Sequence, residues 1–171
     1  MSNEVLNNAL QKLLNECVNT YASAKGSASS LPLSAGVITT VPLKTWISRS
    51  DTKFTLTSDG GIKCPYTGDV LISGTIYIQD KVGAVKGCYV VSSRGQETSQ
   101  FLESGAAGAI SSGVKIIPVT AGDVIYLKAR SNIASSCAPN NAATALSVKY
   151  VGGGGYSVAR FIKYLFKRRC F

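Results

Sequence analysis

Between Asp69 and Gln79 the side chains alternate along the chain. Val70, Ile72, Gly74, Ile76 and Ile78 fall on one face of an extended segment, with Ser73, Thr75, Tyr77 and Gln79 on the other. Successive side chains of a strand point to opposite faces, so this pattern fits a half-buried strand and no helix. Shorter segments repeat the theme. Lys53 to Thr57 alternates and ends at the turn Asp59-Gly60-Gly61, and Pro65-Tyr66-Thr67-Gly68 turns the chain again. Cys88 to Val91, Lys115 to Val119, Val124 to Ala129 and Ala145 to Val151 follow as further strand candidates. Short strands divided by Gly, Pro, Asn and Asp turns indicate an all-β sandwich or barrel over residues 31–151. Two intervals inside it, Glu97 to Gly113 and Ser131 to Thr144, are poor in core residues and read as loops, where recognition often sits.

The flanking segments have a different period. Residues 1–21 read as an N-terminal helix, beginning near Asn3, in which Leu6, Leu10, Leu13 and Cys17 form an apolar stripe. That stripe suits a short oligomerisation coil, or an amphipathic helix packed on the domain or docked on a partner. Residues 22–30 (Ala-Ser-Ala-Lys-Gly-Ser-Ala-Ser-Ser) read as a small-residue linker. Residues 152–155 are four glycines, a flexible joint. Residues 156–171 read as a short amphipathic helix: Val158, Phe161, Ile162, Leu165 and Phe166 share one face, and Arg160, Lys163, Lys167 and Arg168 cover the others.

Charge is unevenly distributed. The chain of 171 residues carries a formal +9, and residues 156–171 hold five bases and no acid, leaving +4 for the rest. A basic amphipathic tail expects a partner that is acidic, or both acidic and apolar, such as a protein groove or a membrane surface. Anchoring explains both of its faces, with Val158, Arg160, Phe161, Ile162, Lys163, Leu165, Phe166, Lys167 and Arg168 as the contacts. Nucleic acid is not the expected partner. Phe54, Tyr66, Tyr77, Tyr89 and Tyr126 lie in separate strands or turns and are not interleaved with bases as a strand-binding platform requires. No stretch approaches the ~18 apolar residues that cross a bilayer, and the opening Met-Ser-Asn-Glu lacks the features of a secretory signal. The expectation is a soluble protein made in the cytosol.

The residues offer little to an enzyme. Without a histidine, Ser-His-Asp or Cys-His acyl transfer is excluded. The five cysteines (Cys17, Cys64, Cys88, Cys137 and Cys170) form no C-x-x-C pair, so neither a zinc site nor a disulfide framework is expected. Gly152 to Gly155 is followed by Tyr156-Ser157, not by Lys-Ser/Thr, which excludes a phosphate-binding loop of the usual kind. Asp51, Asp59, Asp80, Glu97, Glu103 and Asp123 sit mostly in turn-like stretches, where a carboxylate ordinarily caps the turn. No catalytic residue, metal or cofactor is expected.

Asp51 to Phe54, Gly60-Gly61-Ile62 and Tyr66-Thr67-Gly68-Asp69-Val70-Leu71-Ile72-Ser73-Gly74-Thr75-Ile76 together resemble the front half of a TNF/C1q-like jelly roll. Ile117-Pro118-Val119-Thr120-Ala121-Gly122-Asp123-Val124-Ile125-Tyr126-Leu127 is similar to the back half, and Ala145 to Tyr150 to the closing strand. Asp69 stands where that family more often has a large aromatic. The resemblance covers about Leu31 to Val151 and implies a homotrimer around an axis lined by one sheet. It also implies a virion role, since bacterial viruses use such domains as capsid decorations, spikes and fibre tips. The expected function is therefore a homotrimeric bacteriophage structural protein contacting other capsid or vertex proteins. The alternatives are a fibre tip that binds a host surface glycan and a protein that associates with membranes through its tail.

Overall fold

In a computed structural model, residues 7, 20–79, 84–104 and 108–151 are described. The alternating segment is strand β7 (Gly68–Gln79), with Val70, Ile72, Gly74, Ile76 and Ile78 buried and the intervening residues more exposed. β10 (Gly108–Val119) pairs along one edge of β7, and β12 (Ser135–Cys137) and β13 (Ala145–Tyr150) pair along the other. β13 then pairs with β1 (Tyr21–Lys25), β1 with β4 (Thr45–Arg49), and β12 with β2 (Leu31–Leu33), completing a seven-stranded sheet. The second sheet has six strands and is organised by β11 (Val124–Ser131). β8 (Ala84–Ser92) lies on one side of β11 and carries β9 (Glu97–Ser104) beyond it. On the other side lie β3 (Thr39–Thr40) and β6 (Ile62–Lys63), the latter paired with β5 (Thr55–Leu56). Every pairing is antiparallel, and from β7 onward the chain passes repeatedly between the sheets, as in a jelly roll.

The core lies between the sheets. Ile72, Ile76, Leu146 and Val148 of the first sheet belong to one cluster with Val90, Ile125 and Leu127 of the second, closed at its ends by Leu43, Phe54 and Tyr150. Each such side chain removed from water contributes about 1.5–3 kcal/mol. Gly74 faces this core because nothing larger fits there. A Cβ on it would lie 2.6 Å from both Leu127 Cδ1 and Val90 Cγ2.

Several boundaries differ from the sequence reading. The linker expected over 22–30 begins with β1, which also takes Tyr21 from the expected helix. Ala22 and Ala24 are buried against the core and Ser23 faces outward, so an alternation too small in side-chain volume to be conspicuous still makes a strand once β13 and β4 flank it. The loop expected over Glu97 to Gly113 is largely β9 and the start of β10. β9 is an edge strand paired from Glu97↔Val91 to Ser104↔Ala84, a place where polar residues are tolerated. In β10 a bulge between Ser111 and Val114 interrupts the period that a sequence scan looks for. The second expected loop, Ser131 to Thr144, contains β12 and is braced throughout. Ala138 N donates to Tyr77 O at 2.9 Å and Asn140 N to Ala28 O at 3.0 Å.

Candidate self-association face

The side of the first sheet turned away from the core is built by register. Tyr21 pairs with Lys149, Lys149 with Leu71, and Leu71 with Ile116, which puts these four side chains in one row across β1, β13, β7 and β10. The next row is Ser23, Ser147, Ser73 and Val114. Beyond it come Ala145, Thr75 and Ser111, then Tyr77 beside Ala109. Ser23 Oγ and Ser147 Oγ share a hydrogen bond of 3.1 Å, so part of the polar content is already satisfied within the sheet. Val114, Ile116 and Tyr21 are 64%, 56% and 38% exposed, the first two being the most exposed large apolar side chains among the described residues. Small and apolar groups dominate the middle, and aliphatic residues project at the β10 edge. Ile47, on edge strand β4, is half exposed at the opposite side of the sheet.

Three charges interrupt this face: Lys25 at the end of β1, whose Nζ donates to Asn140 O at 3.4 Å, and two nearer its other end. Asp69 and Lys149 are both exposed and lie diagonally across the β7–β13 pairing, and neither makes an ion pair among the described residues. The bulge in β10 sets the aim of its edge. Ser112 is fully buried; its Oγ accepts from Gly74 N at 2.9 Å and donates to Gly113 O at 2.9 Å. Thr98 Oγ1 donates to Ser112 O at 2.9 Å, and Gly113 takes the left-handed backbone conformation (φ +76°) that the extra residue demands. With two β10 residues set against Gly74, Val114 comes level with Ser73 and projects outward beside Ile116.

The richest polar cluster elsewhere surrounds Tyr150, and its chemistry is structural. The Tyr66 hydroxyl donates to Asp51 Oδ2, and Lys53 N donates to Asp51 Oδ1 at 2.9 Å. Desolvation pulls the Asp51 carboxyl upward, but those hydrogen bonds together with Lys53 and Arg49 leave it below its ordinary value. Burial pushes the neighbouring Cys64 thiol up to about 12 and that of Cys88 likewise to about 12, so both stay protonated at neutral pH and cannot act as nucleophiles. Asp123 closes its turn by accepting from Thr120 N at 2.7 Å and pairs with Arg94 at 2.9 Å. Among the described residues, no group of three His, Cys, Asp or Glu is placed to hold a metal ion, and no helix is long and apolar enough to cross a membrane.

The residues expected to drive oligomerisation (Leu6, Leu10, Leu13 and Cys17) lie outside the described residues. So do those expected to anchor the chain (Val158, Arg160, Phe161, Ile162, Lys163, Leu165, Phe166, Lys167 and Arg168). The resemblance implied an axis lined by one sheet, but no residue of this face was among the sequence candidates. Its signal lay in Val114-Lys115-Ile116-Ile117-Pro118-Val119, which is apolar at odd and at even positions; a strand apolar on both faces has something to cover on each.

No family model matches the sequence, and no curated protein does. Solved structures do resemble the fold. Eiger TNF from S. frugiperda superposes with a TM-score of 0.52 at 16% identity, covering 78% of this chain and 92% of that one. Murine APRIL at pH 8.0 gives 0.55 at 17% identity over 76% and 98%, and at pH 5.0 it gives 0.52 at 18% over 72% and 99%. The fold is a TNF-like jelly roll. At these identities the likeness is one of architecture, and it agrees with the two-sheet topology.

Proposed function

We propose that this chain is a non-enzymatic structural head that assembles as a homotrimer through the outward face of its first sheet. The observation that carries this reading is the row Tyr21, Lys149, Leu71 and Ile116, flanked by Val114 and a field of small side chains. Exposed apolar groups gathered on one face of a soluble domain mark a surface that is covered in use. A two-fold arrangement sets a patch against its own copy. A three-fold ring instead uses heterologous contacts, in which the projecting β10 edge of one protomer meets a different patch on the next.

Within that class we assign the head to a bacteriophage virion as a decoration or spike, fastened through a terminal segment. Support comes from the TNF-like architecture joined to a basic amphipathic tail over 156–171, and a trimer multiplies three weak attachments into one firm one. The self-assembly part is tested with Ile116→Asp and Val114→Asp, each compared with the parent chain by sedimentation velocity. Loss of the assembled species with an unchanged far-UV spectrum is expected; an undiminished assembly contradicts the face as the contact. The attachment part is tested by deleting residues 156–171 and measuring incorporation into particles, which is expected to fall sharply. Undiminished incorporation rejects the tail as anchor.

A further inference from the structure

Both edges of the association face are bulged at one level of the sheet. In β10 the pairing passes from Ser111↔Thr75 to Val114↔Ser73, so Ser112 and Gly113 together oppose Gly74. In β4 it passes from Ser48↔Ser23 to Trp46↔Ala24, which leaves Ile47 as the extra residue. Ala24 pairs with Leu146 and Leu146 with Gly74, so the two bulges flank one line drawn across five strands. A bulge turns an edge away from further strand pairing, and these edges therefore suit side-chain contact better than a continued ladder.

Beside that line runs the row Val114, Ser73, Ser147, Ser23 and Ser48, with Ile47 next to Ser48 at the far edge. Val114 is 64% exposed and Ile47 50%, and they stand at opposite ends of the row. The row carries no charge. Lys149 lies in the row on one side of it, and Lys25 ends β1 on the other. This level of the face can thus be covered without stranding an ionised group.

Rotation about an axis leaves each group's height along that axis unchanged. About a three-fold axis running along the strands, groups of one row stay level from copy to copy. Five strands span four spacings of about 4.8 Å, or about 19 Å in all. Three such faces set edge to edge enclose a triangle whose sides lie about 6 Å from its centre, close to half the separation of two packed sheets. Only small side chains fill that interior, and Ser73, Ser147 and Ser23 are what the row supplies. At each corner the β10 edge of one copy meets the β4 edge of the next.

We propose that Ile47, on the bulge of β4, is the seat for Val114 of the neighbouring copy. This rests on the reading of the sheet face as the contact between copies, and it names the second patch of the heterologous pair. Aliphatic ends close the corners, and serines line the axis.

Cysteine pairing in the full-length chain tests it. In a background carrying Cys17→Ser and Cys170→Ser, Ile47→Cys is combined with Val114→Cys and oxidised under mild conditions. Links are read by peptide mass without reduction. A disulfide from position 47 of one chain to position 114 of another is expected, giving a covalent species of three chains. Links of 47 to 47 or of 114 to 114, or an assembled chain with no link, would overturn the pairing. A second measurement guards against disturbance by the new cysteines. Ile47→Asp is expected to raise the concentration for half-assembly about tenfold or more, and adding Val114→Lys to recover most of that loss. Ile47→Asp that assembles like the parent overturns the pairing and leaves the face to be judged by Val114→Asp and Ile116→Asp. A parent chain that stays monomeric at every concentration overturns the face itself, and the pairing with it.

Discussion

Tyr150 and Tyr66 are joined twice: the Tyr150 hydroxyl donates to Tyr66 O at 2.5 Å and accepts from Tyr66 N at 3.1 Å. Tyr150 ends the central strand β13 and is 1% exposed, with its ring tilted against Phe54 at 6.1 Å and edge-on to Tyr66 at 5.9 Å. One side chain thus ties the closing strand of the first sheet to the turn that starts β7. Tyr150→Phe keeps the ring and removes both bonds, leaving a backbone donor and acceptor unmet. A loss of about 1–3 kcal/mol is expected for such a group, read as a lower urea midpoint with an unchanged slope. Tyr66→Phe touches the half-buried Asp51 contact and should cost less.

Ser112 gives a second reading of the same kind at the other edge. Ser112→Ala strips Gly74 N of its partner inside the core, with an expected cost of about 1–3 kcal/mol. Because the same hydroxyl holds the bulge, assembly should weaken alongside stability. Amide exchange at Gly74 is the direct measure, and protection equal to that of the parent would count against this role.

Gly74 itself tests how closely the sheets approach. Gly74→Val places branched carbon where Leu127 and Val90 already meet, and overpacking of this type costs about 1–3 kcal/mol or more. Gly95→Ala is a useful contrast. A Cβ there meets nothing within 4 Å, so its cost reflects only the left-handed backbone at φ +78°.

The buried thiols make stability fall in alkali. Burial raises Cys64 and Cys88 to about 12 and Cys137 to about 11, against an ordinary value of 9.0. Below pH 9 the thiols are protonated in folded and unfolded chains alike, and their contribution is fully present. Between pH 9 and 11–12 the unfolded chain gives up protons that the folded chain retains, so unfolding becomes progressively easier. Thermal midpoints should therefore decline from pH 9 upward. Substituting Ala for Cys64 and Cys88 should flatten that decline, and an identical slope in the variant would contradict the assignment.

Much of the architecture was legible where side-chain size and period agreed. The Val70, Ile72, Ile76 and Ile78 face, the Gly122-Asp123 turn and the closing alternation of Leu146, Val148 and Tyr150 led to an all-β jelly roll, and the structure has that fold. Reading failed where a strand is made by its neighbours. β1 buries only Ala22 and Ala24, and β9 is an edge strand whose two large apolar residues, Phe101 and Leu102, are adjacent among six polar ones; neither shows a hydrophobic alternation of its own. The candidate face was hidden for a different reason. Leu71, Lys149 and Ile116 are separated by tens of residues and form a row only once β7, β13 and β10 are in register.

The mass of the intact chain in solution, measured by sedimentation equilibrium across a range of concentrations, bears most directly on what covers Tyr21, Leu71, Val114 and Ile116. A single species of three times the 17.9 kDa chain mass is expected, dissociating when Ile116 is replaced by Asp. A chain that remains a monomer at every concentration would contradict the sheet face as a contact between copies.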